Sequence, residues 1–127
     1  MKLLLDTHLA LWAVTGSERL PAPAAELIMA ADEVYVSAAS VWEIAIKHAL
    51  GRGQMPVSAA QALQAFHESG YRILSVQAEH AARVERLPTV HADPFDRLLV
   101  AQALEEPLTL LTSDKQVAAY SDAVLLV

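Results

Sequence analysis

The 127-residue chain is 54% hydrophobic and 19% charged, enough apolar material for one compact domain that buries roughly two thirds of its unfolded surface, and too much for a disordered segment. Its 15 acidic and 9 basic residues leave a formal net charge of −6, which argues against a broad basic face for nucleic acid. Cysteine is absent, excluding a disulfide scaffold, a thiolate nucleophile and a Cys-based zinc site and suiting a reducing cytoplasm; no stretch resembles a signal peptide or reaches the ~20 uncharged apolar residues of a membrane span.

Residues 2–5 read as a short buried strand, and residues 8–14 as a helix. The alanine-rich stretch 21–31 begins with proline, as a helix start does. Val34, Tyr35 and Val36 have strand character, and "SAASVWEIAIKHAL" after them reads as helix until Gly51-Arg52-Gly53 stops it. Residues 58–68 are predicted helical, 72–76 a strand, and 77–86 a helix that ends at Leu87-Pro88. A helix over 93–104, a strand over 108–111, a short helix over 114–119 and a strand over 124–127 complete the chain. This alternation predicts a parallel sheet covered by helices on both faces and joined by right-handed connections.

Four acids stand at informative places: Asp6 after the first strand, Glu43 early in the helix after the second, Asp96 in "DPFDRLLVAQAL", and Asp114 after "LTLLTS". Each has an ordinary explanation. Asp6 and Asp114 suit helix caps. Glu43 completes a Ser40-x-x-Glu43 capping-box spacing and precedes Lys47 by four residues. Asp96 lies in a first turn, where the helix dipole favours an acid. The joint pattern says more. Ligands of open α/β sheets collect beyond the carboxyl ends of the strands, where Asp6 and Asp114 fall. The helices bearing Glu43 and Asp96 are apolar nearly all round and are expected to be buried. Carboxylates gathered there repel one another unless a cation intervenes. Oxygen-only ligation suits Mg²⁺ or Mn²⁺, which activates water for phosphodiester hydrolysis without a protein nucleophile.

With those positions, "LLLDTHLALW", "VSAASVWEIAIKHALGRG", "HADPFDRLLVAQAL" and "LTLLTSDKQVAAY" resemble the successive motifs of the PIN-domain family, and within it the VapC-like ribonuclease toxins of VapBC toxin–antitoxin pairs. The likeness covers almost the whole chain, and the family's acidic quartet falls on Asp6, Glu43, Asp96 and Asp114. The resemblance implies a single PIN-like nuclease domain over residues 1–127: a three-layer α/β/α fold with a central parallel sheet of four to five strands. It also implies a cytoplasmic, Mg²⁺-dependent endoribonuclease, with Mn²⁺ able to substitute. Its implied partners are RNA as substrate, a second copy in a homodimer, and a small VapB-like antitoxin seated in a hydrophobic groove.

Around the quartet, Thr7, Thr112 and Ser113 are candidates to bond a carboxylate or a coordinated water, with plain turn roles as the alternative. Asp93 is a candidate of the same kind whose "DP" context suits a helix cap. Lys47, His48 and Arg52 form a local basic cluster, and Arg97 adjoins Asp96; Lys47, Arg52 and Arg97 are candidate phosphate contacts. His8 and His91 lack a zinc-type spacing. Trp12, Trp42, Phe66 and Phe95 are expected to pack in the core. A haloacid-dehalogenase-type phosphatase needs a second acid where this chain has His8. A non-catalytic PIN-like module that binds metal or a partner is the alternative function.

Overall fold

The computed structural model describes residues 1–51 and 55–127. Strand β1, Lys2–Leu5, carries three leucines with no exposed surface. A near-continuous apolar run is what a parallel strand covered on both faces requires. β1 pairs in parallel with β2 (Glu33–Ser37) on one side and β4 (Thr109–Thr112) on the other. Strands β3 (Arg72–Leu74) and β5 (Val124–Leu126) complete a five-stranded parallel sheet of order β3-β2-β1-β4-β5.

Seven α-helices lie among the described residues: α1 (Thr7–Thr15), α2 (Ala22–Ala30), α3 (Ala38–Ala49), α4 (Ala59–Glu68), α5 (Ala78–Arg83), α6 (Pro94–Glu105) and α7 (Lys115–Ala118). Side chains alternate across a strand, so neighbours in β1 serve different cores. Leu3 and Leu5 join Val34, Val36 and Leu111 beneath Leu9 and Leu11 of α1, Ala24 of α2, Ile44 of α3 and Phe66 of α4. Leu4 and Leu110 pack on the opposite face with Leu99, Val100 and Ala103 of α6 and Val117 of α7. The result is the three-layer α/β/α arrangement expected from the alternation of elements.

The chain lays down β1, β2 and β3 in one direction across the sheet, then returns to place β4 and β5 on the other side of β1. This reversal opens a crevice beyond the carboxyl ends of β1 and β4, because the flanking connections diverge to opposite faces. There the Asp6 amide donates to the Leu111 carbonyl at 3.0 Å, tying the two strand ends together.

Several local expectations change. The third strand stops at Leu74, short of residue 76. The helix over 77–86 divides into α5 and a 3-10 turn at Val84–Arg86. Leu87 precedes Pro88 and takes the extended conformation that proline imposes on its predecessor, ψ 146°. Ser37, not Ser40, caps α3, its hydroxyl accepting from the Ala39 amide at 3.0 Å. Glu43 therefore lies beyond the first turn, and the capping-box explanation for it fails. Nor is α3 buried all round: Trp42 is 61% exposed, its ring meeting Phe95 edge-on at 5.3 Å, and Leu50, just past its end, is exposed too. Gly51, at φ 69°, supplies the left-handed turn after α3. Arg52 and Gly53, including the candidate phosphate contact Arg52, lie outside the described residues. Among the described residues no helix is long and apolar enough to cross a membrane.

Candidate active site

Asp6 leaves β1 and immediately caps α1. Its Oδ1 accepts from the Leu9 amide at 2.8 Å, and its Oδ2 from the Thr112 hydroxyl at 2.6 Å. Burial pushes its carboxyl above the ordinary range against these two bonds, and the charge of Glu43 pushes the same way. Thr112 is fully buried behind Asp6 and also accepts from the Asp114 amide at 3.1 Å. Asp114 caps α7, its Oδ1 accepting from the Gln116 amide at 2.8 Å. Capping is thus present at both positions, and one hydroxyl links them.

Glu43 is 5% exposed and reaches from α3 to the start of α1. Its Oε1 accepts from the Thr7 hydroxyl at 2.7 Å, and Thr7 shares a 2.9 Å hydrogen bond with Ser40. Its Oε2 accepts from Lys47 Nζ at 2.6 Å, the ion pair expected from their spacing. Asp93 caps α6, with Oδ1 accepting from the Phe95 and Asp96 amides at 2.9 and 3.1 Å. One turn in, burial pushes the Asp96 carboxyl up to about 6, reinforced by the negative charge of Asp93 and, less, of Asp6. His91 Nε2, 3.1 Å from Asp96 Oδ2, opposes that rise.

These elements deliver all four acids to one cleft of about 740 Å³, which Thr7, Asp93 and Ser113 also line. Lys47, Arg19 and Lys115 bring positive charge to it, and His8 and Trp12 stand along it. Arg97 does not line the cleft. Its guanidinium donates to the carbonyls of Pro88 and Val84 at 3.0 and 3.1 Å and to the Tyr120 hydroxyl at 3.1 Å. Three contributions escape sequence reasoning. Lys115 has only its adjacency to Asp114 to mark it, Arg19 sits in a loop with no pattern, and the contact of His91 with Asp96 depends on how the segment before α6 folds back.

The donor set fits a hard divalent cation. It offers only oxygens, and two of its acids are pushed up by burial and mutual repulsion, a cost that a cation relieves. Among the described residues no three His, Asp or Glu side chains stand close enough together to hold an ion by themselves. The acids instead line an open cleft, which suits a cation that keeps several of its own waters.

The family profile of the PIN domain matches residues 3–123. Ribonuclease VapC22 of Mycobacterium tuberculosis is 33% identical over 118 residues, covering 92% of this chain and 90% of the relative. Among solved structures, VapBC2 from Rickettsia felis bound to a DNA fragment from its promoter superposes with a TM-score of 0.69 at 18% identity, covering 100% of this chain and 98% of that one. VapC20 of M. tuberculosis, described as a sarcin–ricin-loop-cleaving toxin, superposes with a TM-score of 0.61 at 15% identity, covering 94% and 97%. At such identities these superpositions speak to the fold. With a family profile spanning nearly the whole sequence, a VapC relative at one third identity and four acids at the switch point of the sheet, this chain belongs to the PIN-domain family.

Proposed function

We propose that the chain is a metal-dependent endoribonuclease, a single PIN nuclease domain over residues 1–127 that hydrolyses RNA phosphodiester bonds and serves as the toxin of a type II toxin–antitoxin pair. The observation that carries this reading is the convergence of Asp6, Glu43, Asp96 and Asp114, from four separate segments, on one cleft. The ribonuclease relative supports the substrate class. Asp6, Asp96, Asp114 and Glu43 would hold Mg²⁺, with Mn²⁺ able to replace it. Bound there, the cation would supply charge neutralisation at the phosphate and a lowered pKa for water.

The chain's own groups divide the remaining work. Thr112 and Thr7 hold Asp6 and Glu43 by hydroxyl bonds, which orient both carboxylates. Lys47, Arg19 and Lys115 offset the repulsion between the acidic floor and an incoming phosphate backbone. The VapBC2 structure and a toxin–antitoxin complex from Klebsiella pneumoniae, both of this fold, support a small VapB-like antitoxin as partner. The exposed Trp42, Ile46 and Leu50 stripe on one side of α3 supports a homodimer. A cytoplasmic location accords with this reading.

The test is cleavage of a mixed RNA pool by purified protein with Mg²⁺, Mn²⁺ or EDTA, beside the Asp96→Asn variant. Cleavage that needs the metal and Asp96 supports the proposal. No cleavage with either metal, or equal cleavage by the variant, leaves the non-catalytic module as the better description. Growth arrest on expression, relieved by a co-expressed small partner, tests the toxin assignment separately.

A further inference from the structure

A chain of side chains runs from the acidic floor to the far end of α7. Arg97 Nη1 donates to Tyr120 Oη at 3.1 Å, Tyr120 Oη lies 2.7 Å from His91 Nδ1, and His91 Nε2 lies 3.1 Å from Asp96 Oδ2. Counting protons assigns the directions. A phenol has one proton and two lone pairs, and a guanidinium only donates. Arg97 occupies one lone pair of Tyr120, and the His91 backbone amide, at 3.4 Å, approaches the other. A proton on His91 Nδ1 would aim a third donor at the same oxygen. Tyr120 has two acceptors within reach, Nδ1 at 2.7 Å and the His91 carbonyl at 3.2 Å, and donation to the nearer one avoids that crowding. With Nδ1 accepting, the ring N–H falls on Nε2, 3.1 Å from Asp96 Oδ2.

The far end is firmly held. Arg97 is fastened to the Pro88 and Val84 carbonyls, and its Cζ lies 5.7 Å from the centroid of the Tyr120 ring. The His91 side chain is 12% exposed. Tyr120 follows α7, whose opposite end is capped by Asp114, so the same brace ties the segment bearing one acid to another acid.

We propose that His91 is a positioning residue: Tyr120, anchored by Arg97, holds its imidazole in the Nε2–H tautomer, which grips Asp96 Oδ2 and leaves Oδ1 free for the cleft. The inference rests on Asp96 being a cation ligand, as argued above. Arg97 thereby gains a role in the scaffold rather than at the RNA.

The test uses the full chain with folding of each variant checked by circular dichroism. In isotope-labelled, EDTA-treated protein near neutral pH, long-range proton–nitrogen correlations of the imidazole report the tautomer. The expected result is Nε2–H for His91 in the wild type and a mixture in Tyr120→Phe. Mn²⁺ affinity, followed by the electron paramagnetic resonance of the free ion, is expected to fall about 10-fold or more in Tyr120→Phe and His91→Ala, as for other groups that orient a ligand. His91→Gln, whose amide N–H can replace Nε2–H, is expected to recover part of that loss. An Nδ1–H or doubly protonated His91 in the wild type overturns the proposal, as does a lowered melting temperature in the variants with unchanged Mn²⁺ affinity. A wild type that binds no Mn²⁺ at all refutes the cation reading and the purpose of the brace together. The tautomer result still judges the hydrogen-bond chain by itself.

Discussion

Replacing Thr112 with valine preserves the shape of a fully buried side chain and deletes one hydroxyl that serves two acids. The hydroxyl donates to Asp6 Oδ2 at 2.6 Å and accepts from the Asp114 amide at 3.1 Å. A bond to a buried carboxylate contributes about 1.5–3 kcal/mol, and its loss leaves Asp6 Oδ2 without this donor while Oδ1 keeps the Leu9 amide. Thr112→Val is therefore expected to cost about 2–3 kcal/mol near pH 8, a fall of roughly 5–15 °C in melting temperature for a domain of this size. The sign with pH follows from Asp6, whose carboxyl burial raises and Thr112 lowers. Without Thr112 it rises further, so the defect is largest where Asp6 is ionised and shrinks as falling pH protonates it. Guanidinium denaturation of both proteins in EDTA, at about pH 8 and about pH 4, measures the difference. A cost below about 0.5 kcal/mol, which is the scatter of ordinary surface changes, or one that grows in acid, refutes the assignment of Thr112 as the brace of Asp6.

Asp96→Asn is expected to reduce RNA cleavage by about two orders of magnitude or more, the scale for losing a group that stabilises developing charge, in a gel assay at saturating metal. The same variant is expected to be more stable than wild type in EDTA. The folded carboxyl sits at about 6 against an ordinary value of 3.8, so its ionisation opposes folding fully above that value, progressively less as pH falls toward 3.8, and not at all below. After allowance for solvent screening the gain is about 1–2 kcal/mol near pH 8, vanishing near pH 4, by denaturant titration. Millimolar Mg²⁺ is expected to raise the melting temperature near pH 8, the shift fading as pH falls through about 6 and protons compete for Asp96; a shift that persists in acid places the cation elsewhere. On the homodimer proposed above, Trp42→Glu is expected to halve the mass seen by sedimentation while leaving the far-ultraviolet circular dichroism unchanged, since Trp42 is 61% exposed; any fall in melting temperature is that of the lost interface.

The sheet was legible because its signals are local. Leu3 to Leu5 declare a buried strand, and Asp6 declares its end, since a carboxylate can follow a wholly buried leucine only where the strand meets a cap or a cleft. Asp93 was legible as the cap of α6, and Thr7 and Thr112 as hydroxyls beside acids, although which carboxylate each would meet was not. Misreadings arose where two local rules competed. Ser37 and Ser40 both suit a cap, and the direct passage of β2 into α3 favoured Ser37. Apolar content marked Trp42 as core, but rotation about the axis of α3 turns it outward beside Phe95.

Sequence alone was enough to identify the alternating elements, the two-faced core and the four acids, because periodicity, caps and strand ends are written in consecutive residues. Tertiary structure decided what those acids meet. Thr112 lies 106 positions from Asp6 in the chain, and His91 is drawn between Tyr120 and Asp96. Arg97 was diverted from the cleft to the backbone of Pro88 and Val84. Such pairings arise where parallel strands carry distant segments to a common edge, and burial there sets both which hydrogen bonds must form and how far each carboxyl is pushed from its ordinary charge.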